Sequence, residues 1–255
     1  MRNAANLRVQ VESMLESRIP SALTPKIKPP LESMSCGISD IDRFKAFGRG
    51  TLVEICGAPS TGRTTLLHGL LAQCTAGGEA AAVIDTSDTF DPVSASQSGV
   101  VLREVLWVRC GVPRNQGRAL SRLDQALGAI DLLLQNGGLG LIALDLANVP
   151  IRDARQIPLS AWFKFRRAVE DTRTLLVVLA QQPNAGSSSA TMLDVSQSSV
   201  EIEESDKPSV EKHIDGDCLI RTLRNRAEVL RGQMTKPVRS VRTIGEFSTS
   251  LYSYR

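Results

Sequence analysis

Short apolar runs alternate along this chain with apolar stripes at helical spacing, and that alternation sets the expected architecture. The runs at 51–56, 80–85, 104–109, 139–145 and 174–180 are continuous enough to read as strands buried on both faces. Between them, Leu66, Leu67, Leu70, Leu71 and Cys74 mark one face of a helix over 63–74, and Leu120, Leu123, Leu127, Ile130 and Leu134 mark a second, closed by Asn136-Gly137-Gly138. A short helix is expected after Asp91-Pro92, and another over 159–170. The pattern predicts an α/β fold with a mostly parallel central sheet and helices on both faces. Ahead of it, Leu7, Val11, Met14 and Leu15 predict a short helix ending before Pro20, and Pro25, Pro29 and Pro30 an extended linker. The expected division is therefore 1–30 as helix and linker, 31–247 as the core, and 248–255 as a tail.

Composition changes this picture little. With 42% apolar and 22% charged residues, the 255-residue chain belongs with ordinary globular proteins. No apolar run is long enough to span a bilayer and the first residues lack the apolar core of a secretory signal, so no membrane partner and a cytoplasmic location are expected. Cys36, Cys56, Cys74, Cys110 and Cys218 are odd in number and scattered among apolar neighbours, which suits small core residues rather than a disulfide framework or a zinc site. Charge matters more. The net +3 conceals an acidic stretch at 194–217, followed from Arg221 by a basic one, which suits a polyanion, an acidic protein surface or a solvated face.

The chemistry is concentrated at Gly57-Ala58-Pro59-Ser60-Thr61-Gly62-Arg63-Thr64-Thr65, a glycine loop between a predicted strand and a predicted helix. In that context the backbone can approach a polyphosphate closely. Amide N–H groups and the helix N-terminus face the phosphates, and the Thr64 hydroxyl can reach Mg²⁺. The motif's usual lysine is replaced by Arg63, whose planar fork keeps the charge but is bulkier than an ammonium. Nucleotide binding with impaired hydrolysis is the expectation.

Asp145 ends an apolar strand well after this loop, the placement of a carboxylate that holds Mg²⁺ through water. Arg152 and Arg155 follow, positioned to touch nucleic-acid phosphates. The stretch 161–167 interleaves aromatic and basic residues; Trp162 and Phe165 at helical spacing suit a core, and the mixture also suits nucleic acid. Gln181, at a strand tip, is a candidate γ-phosphate sensor, and a flexible loop is expected over 183–189.

From about Ser35 to Phe247 the chain resembles the RecA-type recombinases. The resemblance is carried in order by Gly37-Ile-Ser-Asp-Ile-Asp42, Gly50-Thr-Leu-Val-Glu-Ile-Cys-Gly57, Val83-Ile-Asp85 with Phe90-Asp91-Pro92, Leu179-Ala-Gln-Gln182 and Ile220-Arg-Thr-Leu-Arg-Asn-Arg226. It implies a RecA-like P-loop NTPase core with a C-terminal strand extension, ATP and Mg²⁺ as cofactors, single-stranded DNA as a partner, and self-association into an oligomer or filament. It also implies that Arg224 and Arg226 reach a neighbour's nucleotide in trans, and that the N-terminal helix serves as an oligomerisation arm; Ile19-Pro-Ser-Ala22 is similar to a tetrapeptide used by eukaryotic relatives.

Two departures qualify this. Where the family carries a catalytic glutamate the chain has Ser87, with Asp88 a weak substitute one residue away. The loop from Gln182 to Thr191, which binds DNA in recombinases, is short and uncharged. Both features resemble the ImuA-type accessory proteins of bacterial mutagenesis cassettes. That resemblance implies a role in the SOS response to DNA damage, beside a translesion polymerase, with weak or absent ATP hydrolysis. An active strand-exchange ATPase and a non-enzymatic interaction scaffold are the alternatives.

Overall fold

The computed structural model describes residues 32–111, 121–203, 219–231 and 243–250. The predicted N-terminal helix and linker, Ile19-Pro-Ser-Ala22, Leu120 and Cys218 lie outside the described residues. All the described residues belong to the unit Glu32–Arg255.

Its sheet is built from β1 (Leu52–Gly57), β2 (Ala81–Asp85), β3 (Val105–Arg109), β4 (Leu141–Asp145), β5 (Leu175–Ala180), β6 (Thr191–Glu203), β7 (Leu219–Arg231) and β8 (Thr243–Ser250). The spatial order is β3-β2-β4-β5-β1-β6-β7-β8. From β3 to β6 every pairing is parallel. β7 and β8 then extend the sheet antiparallel. The helices are α1 (Ser39–Asp42), α2 (Arg63–Ala76), α3 (Pro92–Gln97), α4 (Arg122–Asn136), α5 (Ile151–Ala154) and α6 (Leu159–Val169). The expected mixed α/β core with a mostly parallel sheet is present.

Local chemistry sets the helix ends. Asp91 caps α3 by accepting from the amides of Val93 and Ser94, with Pro92 in the first turn, where its missing N–H costs nothing. Ser121 and Asp124 cap α4 reciprocally, and this moves the start of the helix two residues past the Leu120 that begins its apolar stripe.

The sheet buries both faces. On one side Val53, Ile55, Val83, Ala143 and Val177 pack with Leu66, Leu67 and Leu70 of α2. On the other Leu52, Ile84, Leu144 and Val178 pack with Ile130 of α4 and Trp162 and Phe165 of α6. The aromatic pair of α6 is therefore core, with ring centroids 6.2 Å apart edge to face. Truncating a fully buried leucine such as Leu70 to alanine would cost roughly 2–5 kcal/mol. Among the described residues four cysteines are buried and free, as expected of core residues, and burial pushes Cys36 and Cys56 up to about 12. No helix among the described residues is long and apolar enough to cross a membrane.

Two segments differ from expectation. The acidic stretch begins inside a strand: in β6, Leu193 and Val195 are buried while Asp194 and Ser196 are exposed, a period-two alternation. The loop expected to be flexible over 183–189 is tied down. Asn184 and Ala185 donate their amides to Glu54 Oε1 at 2.7 and 2.9 Å, Arg166 donates to the carbonyl of Ser187, and Arg231 donates to that of Gly186.

Candidate nucleotide site

β1 delivers the chain to the glycine loop at a crowded point. A Cβ on Gly57 would stand 2.2 Å from the carbonyl oxygen of Val195 and 2.8 Å from Thr61 Oγ1, so only glycine fits. Thr61 closes the loop by donating to the carbonyl of Ala58 at 2.8 Å. Ser60 and Gly62 take positive φ, 62° and 87°, and the chain then enters α2. Gly62 offers no side chain to cap the first turn of that 14-residue helix, whose positive end faces the loop.

Arg63 opens α2 and is buried, with 6% of its surface exposed. Its Nη1 has no hydrogen-bond partner among the described residues. Burial lowers the pKa of this guanidinium, opposed by the charge of Asp145. Burial likewise pushes the Asp145 carboxyl up, helped by the nearby charge of Asp85 and opposed by an N–H bond from Ala147 and by Arg63. A buried guanidinium with an unused donor, at a helix N-terminus and within the field of a half-buried carboxylate, suits an anion accompanied by a cation. Thr64 is exposed beside it. The residues present fit ATP with Mg²⁺: the α2 N-terminus and Arg63 could hold phosphate, and Thr64 and Asp145 could hold the metal.

Gln181 joins the same cluster. Its amide donates to the carbonyl of Ala147 at 3.0 Å, while the N–H of Ala147 donates to Asp145 Oδ1 at 2.8 Å. One residue thus positions both the sensor candidate and the metal candidate.

Asp88 stands apart from that cluster in its bonding. It has a positive φ of 59° and forms a two-bond fork with Arg109, both bonds 2.7 Å. Arg109 in turn lies over the Trp107 ring, 4.9 Å from its centroid. Ser87 donates its amide to Asp85. Arg152 is exposed and pairs with the adjacent Asp153 at 3.3 Å, and Arg155 donates to Gln182 at 2.6 Å; both lie on or beside α5, after β4.

Arg224 and Arg226 are exposed on β7, whereas Asn225 and Ala227, which alternate with them, are buried. Strand geometry puts the arginines on the face opposite Asn225, and Asn225 faces the chain's own loop: a Cβ on Gly62 would lie 2.8 Å from its Nδ2 and 2.6 Å from Phe247 Cε2. Neither Asn225 nor Phe247 stands out in the sequence as a site residue. The signal was the Arg224-Asn225-Arg226 alternation itself, which places the middle side chain inward once its neighbours face out.

The RecA N-terminal domain matches residues 14–154. The chain belongs to the RecA N-terminal domain family. This is a family of nucleotide-binding proteins of DNA recombination and repair, and in general its members use ATP and Mg²⁺, bind single-stranded DNA and form oligomers. The match covers the RecA-like glycine loop, Asp88, Asp145 and Arg152. Arg155, Gln181, Arg224, Arg226 and Phe247 lie beyond it.

Proposed function

We propose that this RecA-family chain binds ATP·Mg²⁺ as an assembly ligand with weak or absent turnover, associates with single-stranded DNA, and supports error-prone translesion synthesis as an ImuA-type accessory to a polymerase. The observation that carries the nucleotide reading is the buried Arg63 guanidinium, its Nη1 without a partner among the described residues, at the head of α2. Burying a cation is costly unless an anion meets it, and a triphosphate supplies one.

Slow turnover follows from the residues around the loop. Ser87 carries no carboxylate to orient a water, and both oxygens of Asp88 are taken by Arg109. The bonding of Asp88 therefore disfavours the strand-exchange ATPase reading. An in-trans role for Arg224 and Arg226 draws support from their placement, because a strand that turns Asn225 toward its own loop turns both arginines away from it. Arg152 and Arg155 supply cations for nucleic-acid phosphates. In this reading bound ATP·Mg²⁺ contributes binding energy to a protomer interface rather than a chemical step.

ATP binding and hydrolysis, followed on one sample with and without single-stranded DNA and beside light scattering, test the proposal. Binding and nucleotide-dependent assembly without DNA-stimulated phosphate release are expected. Robust DNA-stimulated release would restore the strand-exchange reading, and absence of binding would leave a non-enzymatic scaffold.

A further inference from the structure

The geometry points to Asn225 and Phe247 as positioning residues that hold the glycine loop through Gly62 and couple its occupancy to the arginine face of the same strand. The inference rests on the nucleotide reading above and names how that site is regulated.

Gly62 is where the loop becomes helix, and its left-handed φ of 87° sets the direction of the amides that follow. Two elements distant in sequence close over it. A Cβ placed there would meet Phe247 Cε2 at 2.6 Å, Asn225 Nδ2 at 2.8 Å and Phe247 Cζ at 2.8 Å. No space remains between the loop backbone and these side chains. Asn225 and Phe247 are themselves paired across the β7–β8 ladder, so they move as one unit.

That unit is anchored further along the same buried face of β8. A Cβ on Gly245, two residues before Phe247, would lie 2.8 Å from Phe44 Cζ and 3.1 Å from Ile41 Cδ1. Both are core residues at α1. The buried face of β8 thus lies against α1 at Gly245 and against the glycine loop at Phe247. Close-packed interiors transmit displacement rather than absorb it. A shift of Gly62 on phosphate binding therefore has to move β7 and β8 or be resisted by them.

Strand alternation carries the effect across the sheet. Arg224 and Arg226 flank Asn225 in sequence and project from the opposite face, so any rotation of β7 about Asn225 re-aims both guanidinium groups. Occupancy of the chain's own loop would in this way bias how its arginines meet a second copy, and by linkage assembly would tighten nucleotide binding by the same factor.

The test measures this coupling on the full chain. Light scattering gives the concentration midpoint of self-association with and without ATP·Mg²⁺, and a fluorescent ATP analogue gives the affinity. In the unaltered protein nucleotide should lower the midpoint on the order of tenfold. In Phe247→Ala the shift should fall to about twofold or less while the nucleotide-free midpoint stays put, and Phe247→Leu should restore most of it. Asn225→Ala provides the same test if Phe247→Ala does not fold. A full shift in a folded Phe247→Ala or Asn225→Ala variant would overturn the inference. So would an unaltered protein that binds nucleotide without any shift. Failure of the unaltered protein to bind ATP·Mg²⁺ would instead bring down the nucleotide reading, and this inference with it.

Discussion

Asp85 and Asp145 stand directly opposite one another in the parallel register of β2 and β4, yet their carboxylates are used differently. Asp85 is saturated: it accepts from the amides of Ser87, Thr89 and Phe90 and from Trp107 Nε1, and so shapes the turn after β2. Asp145 accepts from the amide of Ala147 and keeps lone pairs for a cation. The difference gives the first to loop architecture and leaves the second able to meet a cation.

Replacing Asp145 with asparagine should raise the melting temperature of the nucleotide-free protein at neutral pH and remove the Mg²⁺ dependence of nucleotide binding. Burial holds the folded-state pKa above the ordinary 3.8. Such a group contributes stability below that value and loses it as pH rises through the folded pKa, so the charged form at neutral pH is a liability that asparagine lacks. Calorimetry should show the gain near pH 7 and its disappearance near pH 4. An Asp145→Asn variant that melts lower at neutral pH would show that the attraction of Arg63 outweighs burial.

Turnover should respond to Ser87 and not to Asp88. With both carboxylate oxygens engaged by an exposed Arg109, Asp88→Ala should leave phosphate release and melting temperature nearly unchanged. Ser87→Glu combined with Arg63→Lys should raise phosphate release by about tenfold or more, since a positioned base commonly contributes at least that much. Loss of a measurable basal rate in Asp88→Ala would instead make Asp88 the base.

The parallel half of the fold was legible because its strands are buried on both faces and read as unbroken apolar runs, such as Leu175–Ala180. β6 was not, because only one of its faces is covered. Its exposed Asp194, Ser196 and Ser199 dilute the apolar signal to Leu193 and Val195, and the charge run dominated. At the site, the glycine loop declared itself by local spacing. The contacts of Asn225 and Phe247 with Gly62 join residues far apart in sequence, and only the sheet order brings them together. Arg109 was illegible as the partner of Asp88 for the same reason: it sits in β3, one strand over.

Acid should weaken the packing behind the glycine loop through His68. This residue of α2 is buried, with Nδ1 3.3 Å from Ser98 Oγ, its ring edge to face with Phe90, and Nε2 without a hydrogen-bond partner among the described residues. Burial lowers its pKa, and the charge of Asp91 opposes this. A histidine depressed in the folded state gives stability that is present above its ordinary value of 6.5 and is lost as pH falls below it. The melting temperature should therefore drop between about pH 7 and pH 5, and His68→Leu should flatten that part of the slope. An identical slope in the variant would place the acid sensitivity elsewhere.

Glu54 offers a test of how the loop after β5 is held. On β1, Val53 and Ile55 face α2, so Glu54 faces the other way, toward the loop, where its Oε1 accepts from the amides of Asn184 and Ala185. The residue is fully buried, a position a carboxylate occupies only when it is hydrogen-bonded. Alanine there would leave two backbone donors without their acceptor, at a cost on the order of 2–4 kcal/mol. Hydrogen exchange at Asn184 and Ala185 should accelerate at least about tenfold. Nucleotide affinity should hardly change, because Glu54 lies on the face of β1 away from α2. Unchanged protection would mean that Arg166 and Arg231, which bind the carbonyls of Ser187 and Gly186, suffice to hold the loop without the carboxylate.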